Sequence, residues 1–312
     1  RMDNPVNTGY SRNVEIFSQF GQSEWIYSLL CGMGITTGHI FEAGAHSPNS
    51  LSNSKVFLNN GFFCFLVEAI KDFHDEWLKL NNENLLVLNE YLPYVPNALD
   101  IIFSRIEIEK QFLVLFLDID GGEYHLIKAL SEFRPKFVCV EVDNSFPINI
   151  SFVPPIQRHG MQGGQASALA MFDLMRKKDY VYLRSFWQDM IFVDLASLEQ
   201  LRVLLPQGSK YGLAAFLSDA HRHIYNPYNV IANQKEDVPT AGVDFYRSKL
   251  DVLINSSQLK EASIFFNALL PVFNLVSSSV IPRSENYRLM VKNSIDQLLL
   301  DYSMLLGFRL DS

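Results

Sequence analysis

Carboxylates stand wherever the apolar runs of this chain stop. Glu42 ends the run 39–42, Glu68 follows 62–67, Asp118 and Asp120 follow 112–117, and Glu141 and Asp143 close 137–142, while Asn89 ends the run from 85. The first of these runs leads into a glycine turn (Glu42-Ala43-Gly44), then a segment that reads as a helix opening near Asn49, then the second run with its terminal acid. That succession describes a nucleoside-binding βαβ unit. The glycine lets backbone approach a ligand, and an acid ending the second strand can accept both ribose hydroxyls. In an open α/β sheet ligands bind beyond the carboxyl ends of the strands, so Glu42, Glu68, Asn89, Asp118 and Asp143 are expected to converge there.

The later acids suit a second kind of chemistry. Two carboxylates after one strand and an acid–amide pair after the next suit a hard divalent cation such as Mg²⁺, with Asp118, Asp143 and Asn144 as ligands. Without a metal, Asp118 or Asp120 would serve as general base, or a histidine (His46, His125, His159) would. Structural alternatives exist for the same residues: Asp120 capping the next helix, Glu141 pairing with Arg134 or Lys136, Glu42 as a solvated turn acid. His221 and His223, two apart on an expected helix, do not share a face and read as solvated.

The elements that must carry these residues follow from periodicity. Helices are expected over 14–30, 50–59, 72–79, 98–105 and 166–178, and strands over 39–42, 62–68, 85–89, 112–117 and 137–142. The run 112–117 is apolar throughout, as in a central parallel strand covered on both faces. The stretch 148–166 reads as a loop or lid. Strands over 180–186 and 190–193 are joined by so short a link, Trp187-Gln188-Asp189, that they must form an antiparallel hairpin, since a parallel crossover needs a dozen or more residues. Trp187 at its tip could gate a pocket. Beyond 197 only helices are expected (214–225, 244–254, 259–275, 284–306), with Pro271 breaking or kinking the third. The domains are thus an N-terminal helical segment (1–38), an α/β domain (39–200) and a helical extension (201–312).

Composition excludes several classes. A chain of 312 residues, 48% hydrophobic and 19% charged, is globular, and a net charge of −8 without any basic run argues against nucleic-acid partners. No stretch of about 18 apolar residues suggests a membrane span. Scattered Cys31, Cys64 and Cys139, with no leader-like opening, are expected as free thiols of a cytoplasmic protein.

In order along the chain stand Ser18-Gln19-Phe20-Gly21-Gln22, Phe41-Glu42-Ala43-Gly44-Ala45, Leu51-Ser52-Asn53-Ser54, Gly61-Phe62, Leu66-Val67-Glu68-Ala69, Leu117-Asp118-Ile119-Asp120-Gly121, Arg134-Pro135-Lys136-Phe137 leading to Glu141, and Gly163-Gly164-Gln165-Ala166-Ser167. This set resembles the FkbM-type S-adenosylmethionine-dependent methyltransferases over about residues 14–200. The resemblance implies a class I methyltransferase Rossmann-like sheet ending in an antiparallel hairpin. It implies S-adenosylmethionine held by Gln19, Glu42, Gly44, Ser52, Asn53, Glu68, Asn89 and Asp118, and O-methyl transfer to a sugar, glycan or secondary-metabolite hydroxyl, with Asp118, Asp120 and His46 as catalytic candidates. The chain departs from the pattern at Gln22-Ser23, Asp143 and Asp189-Met190. The Gln22-Ser23 and Asp143 departures, with a first turn that has only one clear glycine, feed the other reading, a catalytically decayed binding or assembly module. The apolar faces of the tail (Phe265, Phe266, Leu269, Leu270, Leu298, Leu299, Leu300) are expected to pack on the sheet domain or pair two subunits.

Overall fold

The computed structural model describes residues 15–92, 95, 97–155, 164–219, 241–255, 257–277 and 285–305. His159, His221 and His223 and most of the second half of the expected lid lie outside the described residues. The chain divides into two units. The first comprises Arg1–Val142, Pro154–Gln165 and Asp173–Phe216, and the second Asp143–Val153, Ala166–Phe172 and Leu217–Ser312.

In the first unit, strands β1 (His39–Ala43), β2 (Phe63–Val67), β3 (Leu85–Leu88), β4 (Val114–Leu117), β5 (Phe137–Glu141), β6 (Tyr180–Phe186) and β7 (Asp189–Asp194) form one sheet in the order β3-β2-β1-β4-β5-β7-β6. The first five are parallel, and β7 runs antiparallel to both β5 and β6. Every residue of β4 and β5 is buried, which matches their unbroken apolar runs. The connecting helices α1 (Gln22–Gly32), α2 (Lys55–Leu58), α3 (Lys71–Leu78), α4 (Ala98–Arg105), α5 (Glu123–Ala129) and α6 (Ala168–Lys177) are short. The division between units passes through α6. Below the sheet rim, Ile40, Val56, Phe57, Phe62, Trp77, Val114, Phe116, Phe137 and Ile191 belong to one continuous core. After β7 come α7 (Leu198–Arg202) and α8 (Leu213–Asp219).

The second unit holds α9 (Ala241–Asn255), α10 (Leu259–Ser277) and α11 (Glu285–Leu305). Their apolar faces close on one another: Leu250, Phe265, Phe266, Leu269, Ile295 and Leu298 share a core with Phe146, Ile150 and Phe152. Leu300 remains half exposed. Among the described residues no helix is long and apolar enough to cross a membrane.

Two expectations need correction. The helix expected from residue 50 begins only at Lys55. Pro48 and a left-handed Leu51 (φ 59°) interrupt it, and the Ser52 N–H is drawn instead to the Phe17 carbonyl at 3.2 Å. Pro271 does not end its helix, because α10 runs on to Ser277. The buried faces of Phe265, Phe266 and Leu269 in the turns before it outweigh the loss of one backbone bond.

Register explains the rim. Ala43 pairs with both Val67 and Leu117, Val67 with Leu88, Leu117 with Val140, and Glu141 with Asp189. One residue beyond that rung stand Asn89, Glu68, Gly44, Asp118, Glu141 and Asp189, in a single row. Gly44 has φ 82°, and a Cβ on it would stand 1.7 Å from the Asp118 carbonyl oxygen. The requirement for glycine is therefore already set by the protein's own backbone. Gly44→Ala is expected to lower the free energy of unfolding by about 3 kcal/mol or more in urea denaturation. A loss below about 1 kcal/mol would show that the β1 and β4 ends are not packed this closely.

Candidate functional site

The β1–β2 side of the row is built on buried carboxylates that gather backbone N–H groups. Glu42 is 1% exposed. One of its oxygens accepts from Asn53 N at 3.1 Å and Asn53 Nδ2 at 3.0 Å, and the other accepts from Ser54 N at 2.9 Å. It clamps the 52–54 loop and the start of α2. Side chains alternate along a strand, so Glu42, level with Phe116 and two positions before the row of Asp118 and Glu141, lies on the same face of the sheet as they do. Burial pushes its carboxyl up to about 7, and the Ser54 and Asn53 hydrogen bonds pull the other way. The side-chain oxygen Asn53 Oδ1 is buried without a partner. Ser52 is fully buried, with its Oγ accepting the Lys55 N–H at 3.0 Å, and Gln19 is exposed.

Glu68, also buried, accepts the His46 N–H and the Ile70 N–H, each at 2.7 Å. Asn89 braces the same turn, its Nδ2 donating to the carbonyls of Glu68 (2.9 Å) and Ala69 (3.2 Å). His46 is fixed from several directions. Its φ is 48°, its carbonyl accepts from Trp77 Nε1 at 2.7 Å, and its ring lies 4.0 Å from that of Phe73 between centroids. His46 Nδ1 is 3.2 Å from the Ser50 carbonyl, which can only accept, so Nδ1 carries a proton.

On the β4–β5 side, Asp118, Asp120 and Glu141 each bring a carboxylate oxygen within 4.8 Å of the others. Burial raises the Asp118 carboxyl, its bond with Glu141 and the charge of His46 lower it, and Asp120 raises it further. Glu141 is driven far upward, first by burial and then by Asp118. The side-chain amides of Gln165 and Gln188 both donate to Glu141. Asp189 is pushed up to about 8 by burial and then by Asp118. Beneath them Glu123 is fully buried, with one oxygen accepting from Ile119 N at 3.1 Å and Gly121 N at 2.8 Å. Burial raises it to about 7. Next to the row, Trp187 turns the β6–β7 hairpin at φ 54° and stacks on Phe20, centroids 5.7 Å apart.

Several sequence readings can be placed against this geometry. Asp118 and Asp120 come together, with Glu141, whereas His46 is held by Glu68, Ser50, Trp77 and Phe73. Asp120 does not cap α5, whose preceding residue is Gly122. Glu141 pairs with neither cation considered for it: Arg134 donates to the carbonyls of Lys178 and Asp179 (both 2.9 Å), and Lys136 to Ser197 Oγ (2.9 Å). His125 contacts the Pro154 carbonyl at 2.7 Å. Within the second unit, Asp143 accepts from Ser145 N at 2.9 Å and forms an ion pair with Lys249, and Asn144 is half-buried beside it. The residues that sequence reasoning passed over are Glu123, Gln165, Gln188 and Asp189. An acid in the first turn of a helix reads as a surface group favoured by the dipole, and nothing local marks Glu123 as buried. Asp189 and Gln188 become visible once the hairpin is placed beside β5.

No protein-family model matches the chain, and no curated protein matches it significantly. Solved structures do. They include a putative O-methyltransferase from Klebsiella pneumoniae (12% identity, 59% of this chain and 83% of that one, TM-score 0.37). An O-methyltransferase from Bacillus cereus in complex with SAH gives 14%, 59%, 82% and 0.37. A TehB-like SAM-dependent methyltransferase from Corynebacterium glutamicum gives 8%, 57%, 89% and 0.35. The chain's own sheet, in the order β3-β2-β1-β4-β5-β7-β6 with β7 antiparallel, is a Rossmann-like α/β fold followed by a helical C-terminal region. Identities and TM-scores this low leave activity to be argued from the site itself.

Glu42 makes the stability of this side depend on pH. An acid whose folded pKa lies above its unfolded value holds its proton more tightly when folded. Its contribution is present below the unfolded value and is lost as pH rises through the folded one. For Glu42 the window runs from 4.5 to about 7, and the loss is on the order of 3 kcal/mol. Urea denaturation at intervals from pH 4.5 to 8 is expected to show a shallower decline for Glu42→Gln than for the parent chain. Parallel declines would contradict the assignment.

Proposed function

We propose that this chain is an S-adenosylmethionine-dependent O-methyltransferase of the FkbM type, acting on a hydroxyl of a sugar, glycan or secondary metabolite. The observation that carries the reading is the row itself. Glu68, Gly44, His46 and the 52–54 loop stand on one side of it and Asp118, Asp120 and Glu141 on the other, which supports a nucleoside site and an acid–base site along one rim of the sheet. The residues present fit the cofactor. Asn53 Oδ1 is a buried acceptor lacking a donor, suited to an ammonium, and Glu68 is an ionisable acceptor at the position expected for a ribose diol. The surrounding carboxylates favour a ligand that carries positive charge.

When bound, S-adenosylmethionine supplies an activated methyl group on a sulfonium. The protein's part is then mainly alignment and proton management. Gly44 and the 52–54 loop would seat the ligand, and Asn89 would hold the turn that carries Glu68. Asp118 and Asp120 would orient the acceptor hydroxyl, and His46 Nε2 would take its proton, the imidazolium being stabilised by Asp118.

Isothermal titration of the full chain with S-adenosylmethionine tests the reading. Binding on the order of micromolar is expected. Glu68→Ala should weaken it about tenfold or more, the loss typical of a hydrogen bond to a charged group. Glu68→Gln should fall between. Absence of binding by the parent chain would instead favour a decayed binding or assembly module.

A further inference from the structure

We propose that the exposed indole of Trp187 is the platform on which the acceptor stacks, and that the acceptor is a pyranose sugar, its C–H face on the indole and its hydroxyls toward the carboxylates of the rim. The assignment rests on the methyltransferase reading and narrows its acceptor to a sugar ring. The chain has three tryptophans. Trp77 is fully buried in the core and Trp25 packs against that core, whereas Trp187 is 45% exposed at the tip of the β6–β7 hairpin. Its backbone is left-handed, φ 54°, a conformation that hairpin turns usually give to Asn or Gly. A bulky residue kept both exposed and in a disfavoured conformation contributes little to folding, and such outliers cluster where ligands bind.

The ring is set before any ligand arrives. Phe20 stacks on it with centroids 5.7 Å apart and planes 27° from parallel, so the exposed part is the side away from Phe20. Ser185 Oγ donates to the Trp187 carbonyl at 2.6 Å, and the Gln188 carbonyl accepts the Val142 N–H at 3.0 Å. Across the stack, the Phe20 N–H donates to Gln22 Oε1 at 3.0 Å and the Phe17 N–H to Glu24 at 2.8 Å. The Phe17 carbonyl in turn accepts the Ser52 N–H. The aromatic pair is therefore anchored at the 52–54 loop, on the nucleoside side, and at the end of β5. A surface fixed in this way loses little freedom on binding. Next in sequence, the Gln188 side chain donates to Glu141, which stands beside Asp118 and Asp120. An aromatic face attracts the weakly positive C–H groups of a ring, and carboxylates accept from hydroxyls. A pyranose presents both kinds of group, several hydroxyls around an apolar face; a phenol offers this rim only one.

Saturation-transfer NMR on the full chain, with the methyl glycosides of glucose, galactose, mannose, fucose and rhamnose as probes, is the direct experiment. At least one glycoside is expected to bind on the order of millimolar, with saturation strongest at the C–H groups of one ring face. Trp187→Ala should weaken that binding about tenfold, the effect of removing one stacking ring, and Trp187→Tyr should weaken it less. The tyrosine variant keeps a ring in the turn, so it separates loss of the platform from damage to the hairpin. No glycoside bound at roughly 0.1 M, or binding unchanged in Trp187→Ala, would overturn the proposal. Choline or catechol binding more tightly than every glycoside would overturn it too, in favour of a cationic or an aromatic acceptor. A parallel titration of the same chain with S-adenosylmethionine separates the two readings. A chain that binds a glycoside through Trp187 but not S-adenosylmethionine keeps the sugar platform and loses the methyltransferase reading, and the opposite pattern does the reverse.

Discussion

Parallel register is the constraint on which the site depends. Because β1, β2, β4 and β5 are hydrogen-bonded with Val67, Ala43, Leu117 and Val140 at one level, the next residue of each strand falls in a common row. Slip one of these strands by a single position and its side chains exchange faces. Asp118 would then lose Glu141, and the Gly44 turn would lose its close approach to Asp118. The fully buried faces of β4 and β5 hold that register, so the hydrophobic core and the placement of the acids are one requirement.

Each of these acids does something different because each meets a different set of donors. Glu42 and Glu68 face backbone N–H groups and shape turns. Glu141 meets two amides and another acid. Asp143, in the second unit, meets an ammonium. The same functional group is thus used as a clamp, as a member of a crowded cluster and as half of an ion pair, and only the neighbours decide which.

How much of this could be read in advance depended on whether the information was local. The apolar run 112–117 and the short link Trp187-Gln188-Asp189 declare β4 and the β6–β7 hairpin, because strand burial and loop length leave little choice. The acids at strand ends were legible for the same reason: once the strands are parallel, their ends align. The delayed start of α2 was not legible, because it depends on Glu42 and Phe17 drawing away the N–H groups that a helix would otherwise have used. Lys249 as the partner of Asp143 was equally hidden, being 106 residues away in the chain. Pro271 carried a strong local signal for a break, and packing by Phe265, Phe266 and Leu269 overrode it.

The core of the second unit joins Phe146, Ile150 and Phe152 to helices that begin at Ala241. During synthesis, those three side chains emerge from the ribosome roughly a hundred residues before the surfaces that will cover them. At about 5–20 residues per second, that leaves greasy side chains waiting for several seconds. The C-terminal helices are therefore a completion rather than an add-on, and a chain cut after the sheet would carry an exposed apolar segment in its middle.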